Sequence, residues 1–201
     1  MDHEIQKETI ILASASPRRH EFFRLLGLPF EVIPSPIEEI LNESLEPRMA
    51  TEELAVQKVN SVRELCRDRD TWIVGADTIV LLDGIVYGKP QDREDARRML
   101  SKLQDKTHEV ITAIALFCGR TGSLDCRSVV SRVNFAPMSP DEIEWYLDTG
   151  EWEGAAGSYQ IQKLASCFIT SIQGSFSSIV GLPLREIYVM LRDNNYPFKG
   201  S

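Results

Sequence analysis

The run from Thr71 to Leu82, TWIVGADTIVLL, constrains this chain more than any other stretch, because it is the strongest strand signal and carries a carboxylate at its centre. Asp83-Gly84 follows as a two-residue hairpin turn, so the strand must return on itself. A bare carboxylate at Asp77 would be expensive to bury; it must be paired, bound to a metal or protonated. Gly75 and Ala76 beside it leave room for a close approach. With Asp83-Gly84 as the turn, Leu82 opposes Ile85 and Thr78 opposes Lys89. A regular ladder then sets Lys89 on the face opposite Asp77, and a bulge or break at Gly88 would bring the two together.

A second strand-to-helix unit lies near the start. The apolar run Thr9–Ala13 precedes SASPRR (Ser14 to Arg19), and His20–Leu28 carries Phe22, Phe23, Leu25 and Leu26 on one helical face. Ser16 suits the N-cap, Pro17 the first helical position and Gly27 the exit. Arg18 and Arg19 then fall in the first turn, where the helix dipole disfavours cations. An anion bound at the exposed N–H groups would offset that cost, with Ser14 and Ser16 adding hydroxyl donors and an arginine clamping phosphate oxygens. The alternative is two solvated arginines.

Strand and helix signals alternate along the remainder. A strand is expected over Pro29–Pro34, a polar loop over Ser35–Ala50, and a helix from Thr51 to about Asp68. Asp92 caps a further helix. His108–Cys118 and Ser128–Met138 read as a hairpin around Gly119–Gly122. Ser139 and Glu142 form a capping box for a helix stopping at Gly150. A strand near Ser166–Ile172 and a helix from Pro183 to about Asn194 close the chain. The sum is α/β with a mixed sheet flanked by helices, one domain of two lobes over residues 1–201. Neither common nucleotide-binding loop, GxxxxGK[ST] nor GxGxxG, is present.

Charge narrows the function. A net charge of −8 argues against a general nucleic-acid or anionic-membrane binder. An anionic substrate would therefore need locally concentrated positive charge or a metal. No window approaches the ~18 apolar residues of a membrane helix, and MDHEIQKE reads as neither signal nor transit peptide. Cys66, Cys118, Cys126 and Cys167 show no CxxC pairing, which suits reduced thiols and the cytoplasm. His3, His20 and His108 are too scattered for a histidine metal site. Lys58 lies near the apolar stripe of its helix, either snorkelling or reaching into a cleft. Glu38 and Glu39 are exposed loop acids or ligands for a magnesium-type ion.

SASPRR, GADTIV, GKP (Gly88 to Pro90), THEV with Thr112, TGE (Thr149 to Glu151), AGSYQIQ (Ala156 to Gln162) and VGLPL (Val180 to Leu184) occur in one order and spacing. In these the chain resembles, over nearly its whole length, the Maf-type nucleotide pyrophosphatases, the septum-formation-inhibitor-like proteins. The resemblance implies two lobes with a cleft, akin to inosine triphosphate pyrophosphatases. It also implies cleavage of nucleoside triphosphates between the α and β phosphates with a divalent metal, Mg or Mn. Ser14, Arg18 and Arg19 match the phosphate-binding turn, and Lys58 and Lys89 the family's two lysines. Glu39 matches the acid after strand two, and Asp77 the proton acceptor, with metal ligand as an open second role for Asp77. Arg18, Thr78 and Gln162 match the branch acting on dTTP and UTP. Asp105 stands where the family usually has glycine, and Ala155 where a lysine commonly precedes Ala-Gly. A non-catalytic nucleotide-binding regulator of cell division is the rival reading. The oligomeric state stays open, a homodimer included.

Overall fold

Residues 8–66 and 71–198 are described by a computed structural model. His3, most of the polar N-terminal stretch and the expected helix end at Asp68 lie outside them. Seven strands among the described residues form one mixed sheet. It joins β1 (Ile10–Leu12), β2 (Phe30–Val32), β3 (Trp72–Leu82), β5 (Thr107–Cys118), β6 (Ser123–Phe135) and β7 (Ile169–Gln173) in the order β2-β1-β3-β5-β6-β7, with β4 (Ile85–Tyr87) on β3. β1 runs parallel to β2 and β3, whereas β3–β4 and β6–β7 are antiparallel. The chain divides into two compact units, Met1–Asp77 with Ala113–Ser128 and Gly181–Ser201, and Thr78–Thr112 with Val129–Val180.

The first unit holds α1 (Pro17–Arg24), α2 (Pro47–Leu65) and α6 (Leu184–Asp193). Strand alternation sorts its core into two layers. Ile10, Leu12, Trp72, Val74, Ala76, Ile114 and Leu116 pack with Phe23 of α1 and Ile187, Met190 and Leu191 of α6. Ile11, Ala13, Ile73, Ala113, Ala115 and Phe117 pack with Ala55, Val59 and Val62 of α2. Helix α2 starts at Pro47, ahead of the expected Thr51, because proline is pre-organised for a first helical turn. Thr51 is already inside, its hydroxyl donating to the Pro47 carbonyl at 2.7 Å. Ser16 occupies the N-cap of α1 without a side-chain cap hydrogen bond.

The second unit holds α3 (Arg93–Leu103), α4 (Pro140–Asp148) and α5 (Phe176–Val180). The β3–β4 turn is as expected: Asp83 and Gly84 both take positive φ, 51° and 78°, and Leu82 pairs with Ile85. The ladder ends at Val80–Tyr87, short of the Thr78–Lys89 opposition, and the Gly88 carbonyl instead accepts from Gly157 N–H at 3.0 Å. Asp92 caps α3 by accepting from Asp95 N–H at 2.8 Å, and Ser139 with Glu142 forms the capping box of α4. Strand β6 begins at Ser123, earlier than Ser128, with Arg127 paired to Asp125 at 2.9 Å. It stops at Phe135, before Pro137, which has no N–H for a ladder. β7 begins only at Ile169 because a 3₁₀ helix occupies Leu164–Phe168. The short α5 has no periodic signature in sequence. Asp105 has φ +54°, a left-handed position that accounts for the glycine usual in the resembled family.

Candidate active site

Gly75 decides how closely α2 approaches β3. A Cβ there would lie 2.8 Å from Val59 Cγ2 and 2.9 Å from the Ala55 carbonyl, so only a glycine admits the helix at this depth. Gly75 and Asp77 point to the same face of the strand, and Lys58 adjoins Val59. The contact therefore delivers the lysine to the carboxylate: Lys58 Nζ donates to Asp77 Oδ1 at 2.7 Å. The same nitrogen stands 2.7 Å from Glu39 Oε1 and 3.3 Å from the Ala76 carbonyl. Lys58 and Asp77 are deeply buried, with side chains 3% and 8% exposed, whereas Glu39 is 35% exposed at the rim. Lys58 pairs with Asp77 at a depth where a carboxylate needs a partner.

Arg19 joins this group from α1. Its Nε donates to the Gly181 carbonyl and its Nη1 to the Ala76 carbonyl, both at 2.8 Å. Burial lowers the guanidinium from its ordinary value while the charges of Asp77 and Glu39 oppose that shift. An arginine stays protonated regardless. The helix-start cation that costs energy against the dipole is thus bonded to two carbonyls and lies in the field of two carboxylates. Arg18, its neighbour in the first turn, is half-buried. Ser14 is buried in the turn before α1. Its hydroxyl oxygen accepts from Ser16 N–H at 3.2 Å, and its carbonyl accepts from His20 Nε2 at 2.7 Å. Ala13 N–H bonds the Val74 carbonyl at 2.8 Å, holding this turn alongside β3.

Arg19, Glu39, Lys58 and Asp77 are therefore brought together within the first unit. Thr78, Lys89 and Gln162 belong to the second. There Thr112 Oγ1 donates to the Ser178 carbonyl at 2.8 Å, so the 3.0 Å contact between Thr78 and Thr112 is donated by Thr78. Gln160 Nε2 donates to the Glu151 carbonyl at 2.6 Å, and Gln162 Nε2 makes a longer contact with Gln160 Oε1 at 3.4 Å. Gln162 Oε1 is buried without a partner among the described residues. The Ala76 and Gly181 carbonyls and Gln160 escaped the sequence reading; only the GADTIV, VGLPL and AGSYQIQ motifs containing them gave a signal. Ala155 is buried.

Two carboxylate oxygens already converge on one cation, and both are hard oxygen donors. No group of three or more His, Cys, Asp or Glu that could hold a metal occurs among the described residues. That donor set fits a magnesium-type ion, which takes one or two carboxylates and completes its shell with water and substrate phosphate. It does not resemble the nitrogen- and sulfur-rich cage of a structural zinc.

Comparison with known proteins finds relatives that span nearly the whole chain. Over 183 residues, 91% of this chain and 95% of the relative, the sequence is 46% identical to the dTTP/UTP pyrophosphatase of Desulforamulus reducens. It is 40% identical to the dTTP/UTP pyrophosphatase of Symbiobacterium thermophilum, covering 94% and 96% of the two chains. The Ham1 protein of Staphylococcus aureus shares the fold, with a TM-score of 0.54 at 10% identity, covering 94% of this chain and 100% of that one. The family described as Maf-like protein matches residues 9–194, and the chain belongs to it.

Proposed function

We propose that the chain hydrolyses dTTP and UTP to the nucleoside monophosphate and pyrophosphate, as the names of its relatives indicate for those proteins. The observation that carries the reading is the Glu39–Lys58–Asp77 cluster, a buried carboxylate beside concentrated positive charge in a protein of net charge −8. Asp77 accepts a proton from the attacking water. Ser14, Arg18 and the first turn of α1 receive phosphate oxygens, using hydroxyl, guanidinium and backbone donors. Lys58 and Lys89 offset the charge that develops on the pyrophosphate leaving group. Arg19 holds the Asp77 segment against α1 through the Ala76 carbonyl.

A divalent ion, Mg or Mn, would be held by Glu39 and Asp77 and would neutralise phosphate charge as the anhydride breaks. Thr78 and Gln162 favour the thymine and uracil bases. A reducing compartment, the cytoplasm, suits four cysteines that form no disulfide. No described helix is long and apolar enough to cross a membrane.

Pyrophosphate release over a panel of nucleoside triphosphates tests the activity, with Asp77→Asn as the companion variant. Wild type should release pyrophosphate from dTTP and UTP, and Asp77→Asn should fold but turn over at least ~100-fold more slowly, the scale of a lost general base. Nucleotide binding without turnover in the wild type would instead favour a non-catalytic regulator.

A further inference from the structure

The Lys58 ammonium has three hydrogens. It stands 2.7 Å from Asp77 Oδ1, 2.7 Å from Glu39 Oε1 and 3.3 Å from the Ala76 carbonyl. Every donor it possesses is thus matched by an acceptor of the protein. The two carboxylates also sit in the field of Arg19, so two negative charges face two positive ones. A second cation entering the cluster would gain little attraction and would meet a like charge at ion-pair distance. A magnesium-type ion sheds its water reluctantly and needs a strong anionic field to do so. The cluster of the free protein does not offer one. A triphosphate does, because it brings its own negative charge and oxygen ligands.

We infer that Lys58 is the resident counter-ion of the Glu39–Asp77 pair, that the free protein takes up a divalent ion only weakly, and that the ligand it admits is the metal–nucleotide complex. The nucleotide half of this inference rests on the pyrophosphatase reading; the metal half does not. Glu39 and Asp77 would hold the ion of that complex, whose charge would take the place of the lysine's, and the Lys58 ammonium would then be free to pair with phosphate oxygens. Metal and nucleotide are then coupled, each tightening the other by the same factor.

The experiment is a calorimetric titration of Mn²⁺ into the full chain, checked by the loss of the free-ion electron paramagnetic resonance signal. Wild type without nucleotide should bind Mn²⁺ weakly. In the presence of α,β-methylene-UTP, whose scissile position cannot hydrolyse, Mn²⁺ should bind about 5- to 150-fold more tightly. Lys58→Gln removes the counter-ion and should raise nucleotide-free Mn²⁺ affinity about tenfold or more, since like-charge repulsion at this range is worth at least that. In Lys58→Gln with Glu39→Gln the gain should vanish. Because Lys58→Gln removes the closest cation from the buried Asp77, its fold is checked by thermal unfolding with and without Mn²⁺, and Mn²⁺ should raise its midpoint more than that of wild type. Wild-type Mn²⁺ binding as tight without the analogue as with it would overturn the inference. So would a folded Lys58→Gln protein that binds Mn²⁺ no better than wild type. Both results are independent of any turnover assay, so they leave the proposed activity to its own test.

Discussion

The Cβ that Gly75 lacks would lie 2.8 Å from Val59 Cγ2, and this near-contact between strand and helix sets the Lys58–Asp77 pair in register. Alanine at position 75 must push α2 away from β3. Overpacking of this kind costs about 1–3 kcal/mol. The Gly75→Ala protein should unfold at lower denaturant concentration by that amount. It should also lose activity beyond what its folded fraction explains, because Lys58 moves with the helix. Denaturant midpoints paired with turnover per folded molecule check this; a stable variant with wild-type turnover would contradict it.

The two arginines of SASPRR should behave differently despite being adjacent. Arg19 braces α1 against the Ala76 and Gly181 carbonyls at 2.8 Å each, and hydrogen bonds from a charged donor are worth about 1.5–3 kcal/mol apiece. Arg19→Ala should therefore lower stability by about 3–6 kcal/mol, and Arg19→Lys should recover little, since an ammonium cannot reproduce the planar fork. Arg18→Ala should weaken substrate binding or turnover with little change in stability, because it removes a cation from the unfavourable end of a helix. Thermal unfolding of both variants beside their kcat and KM separates the roles. Equal stability losses would sink the distinction.

His108 sets a pH dependence of folding. It is buried 2.8 Å from the Tyr159 hydroxyl, in edge contact with that ring and tilted against Phe135, and burial pulls its pKa down to about 4. In the unfolded chain it titrates near 6.5, so between these values the unfolded state binds the extra proton. The contribution is complete above pH ~6.5 and is lost as pH falls toward 4, with a slope of up to ~1.4 kcal/mol per unit and a total on the order of 3 kcal/mol. Glu144, held down to about 2 by Arg97 and Arg93, begins to lose its contribution only near its ordinary value of 4.5, at the acid end of this window. Denaturant stability between pH 7.5 and 4.5 should fall more steeply for wild type than for His108→Gln. Parallel curves would remove His108 from the account.

What the sequence made legible, and what it hid, follows the range of the interactions. Asp77 stood out because a carboxylate inside an apolar strand needs a partner, and the turn at Asp83-Gly84 is chemistry carried by two neighbours. The partner of Asp77 was harder. Hairpin register set Lys89 on the opposite face unless Gly88 broke the ladder, and Lys58 arrives through the helix-on-strand contact at Gly75, a packing event no local pattern encodes. The brace at Arg19 joins residues 57 and 162 positions apart, so a turn that reads as an anion site also turns out to be a structural clamp. Ser16 has the right identity and backbone for a cap but makes no side-chain cap bond. Asp105 shows the converse: its glycine-like position became intelligible only when its φ of +54° was seen. The helices with capping residues that do bond, α3 and α4, began where the sequence placed them.

Base preference should depend on Gln162 as oriented by Gln160. The 2.6 Å bond from Gln160 Nε2 to the Glu151 carbonyl excludes the flipped amide, which would press two oxygens together. Gln160 Oε1 therefore faces Gln162, and the 3.4 Å contact with Gln162 Nε2 orients that amide in turn. Gln162 Oε1 is left buried and unsatisfied, a condition worth about 1–3 kcal/mol to whatever donor relieves it. Relief requires the side chain to turn toward a ligand, and the N3–H of thymine or uracil is a donor of the right kind, whereas cytosine offers an acceptor at that position. The same free energy read as selectivity predicts UTP over CTP by about 5- to 150-fold in kcat/KM. Gln162→Glu places a carboxylate against Gln160 Oε1 and removes the amide donor, so the variant should lose the preference for dTTP and UTP while retaining residual turnover. Gln160→Leu should keep Gln162 but free its amide to flip, narrowing the UTP-to-CTP ratio with little loss of UTP turnover. Competition assays with UTP and CTP in one vessel give the ratios directly. An unchanged ratio in both variants would show that the base is read elsewhere.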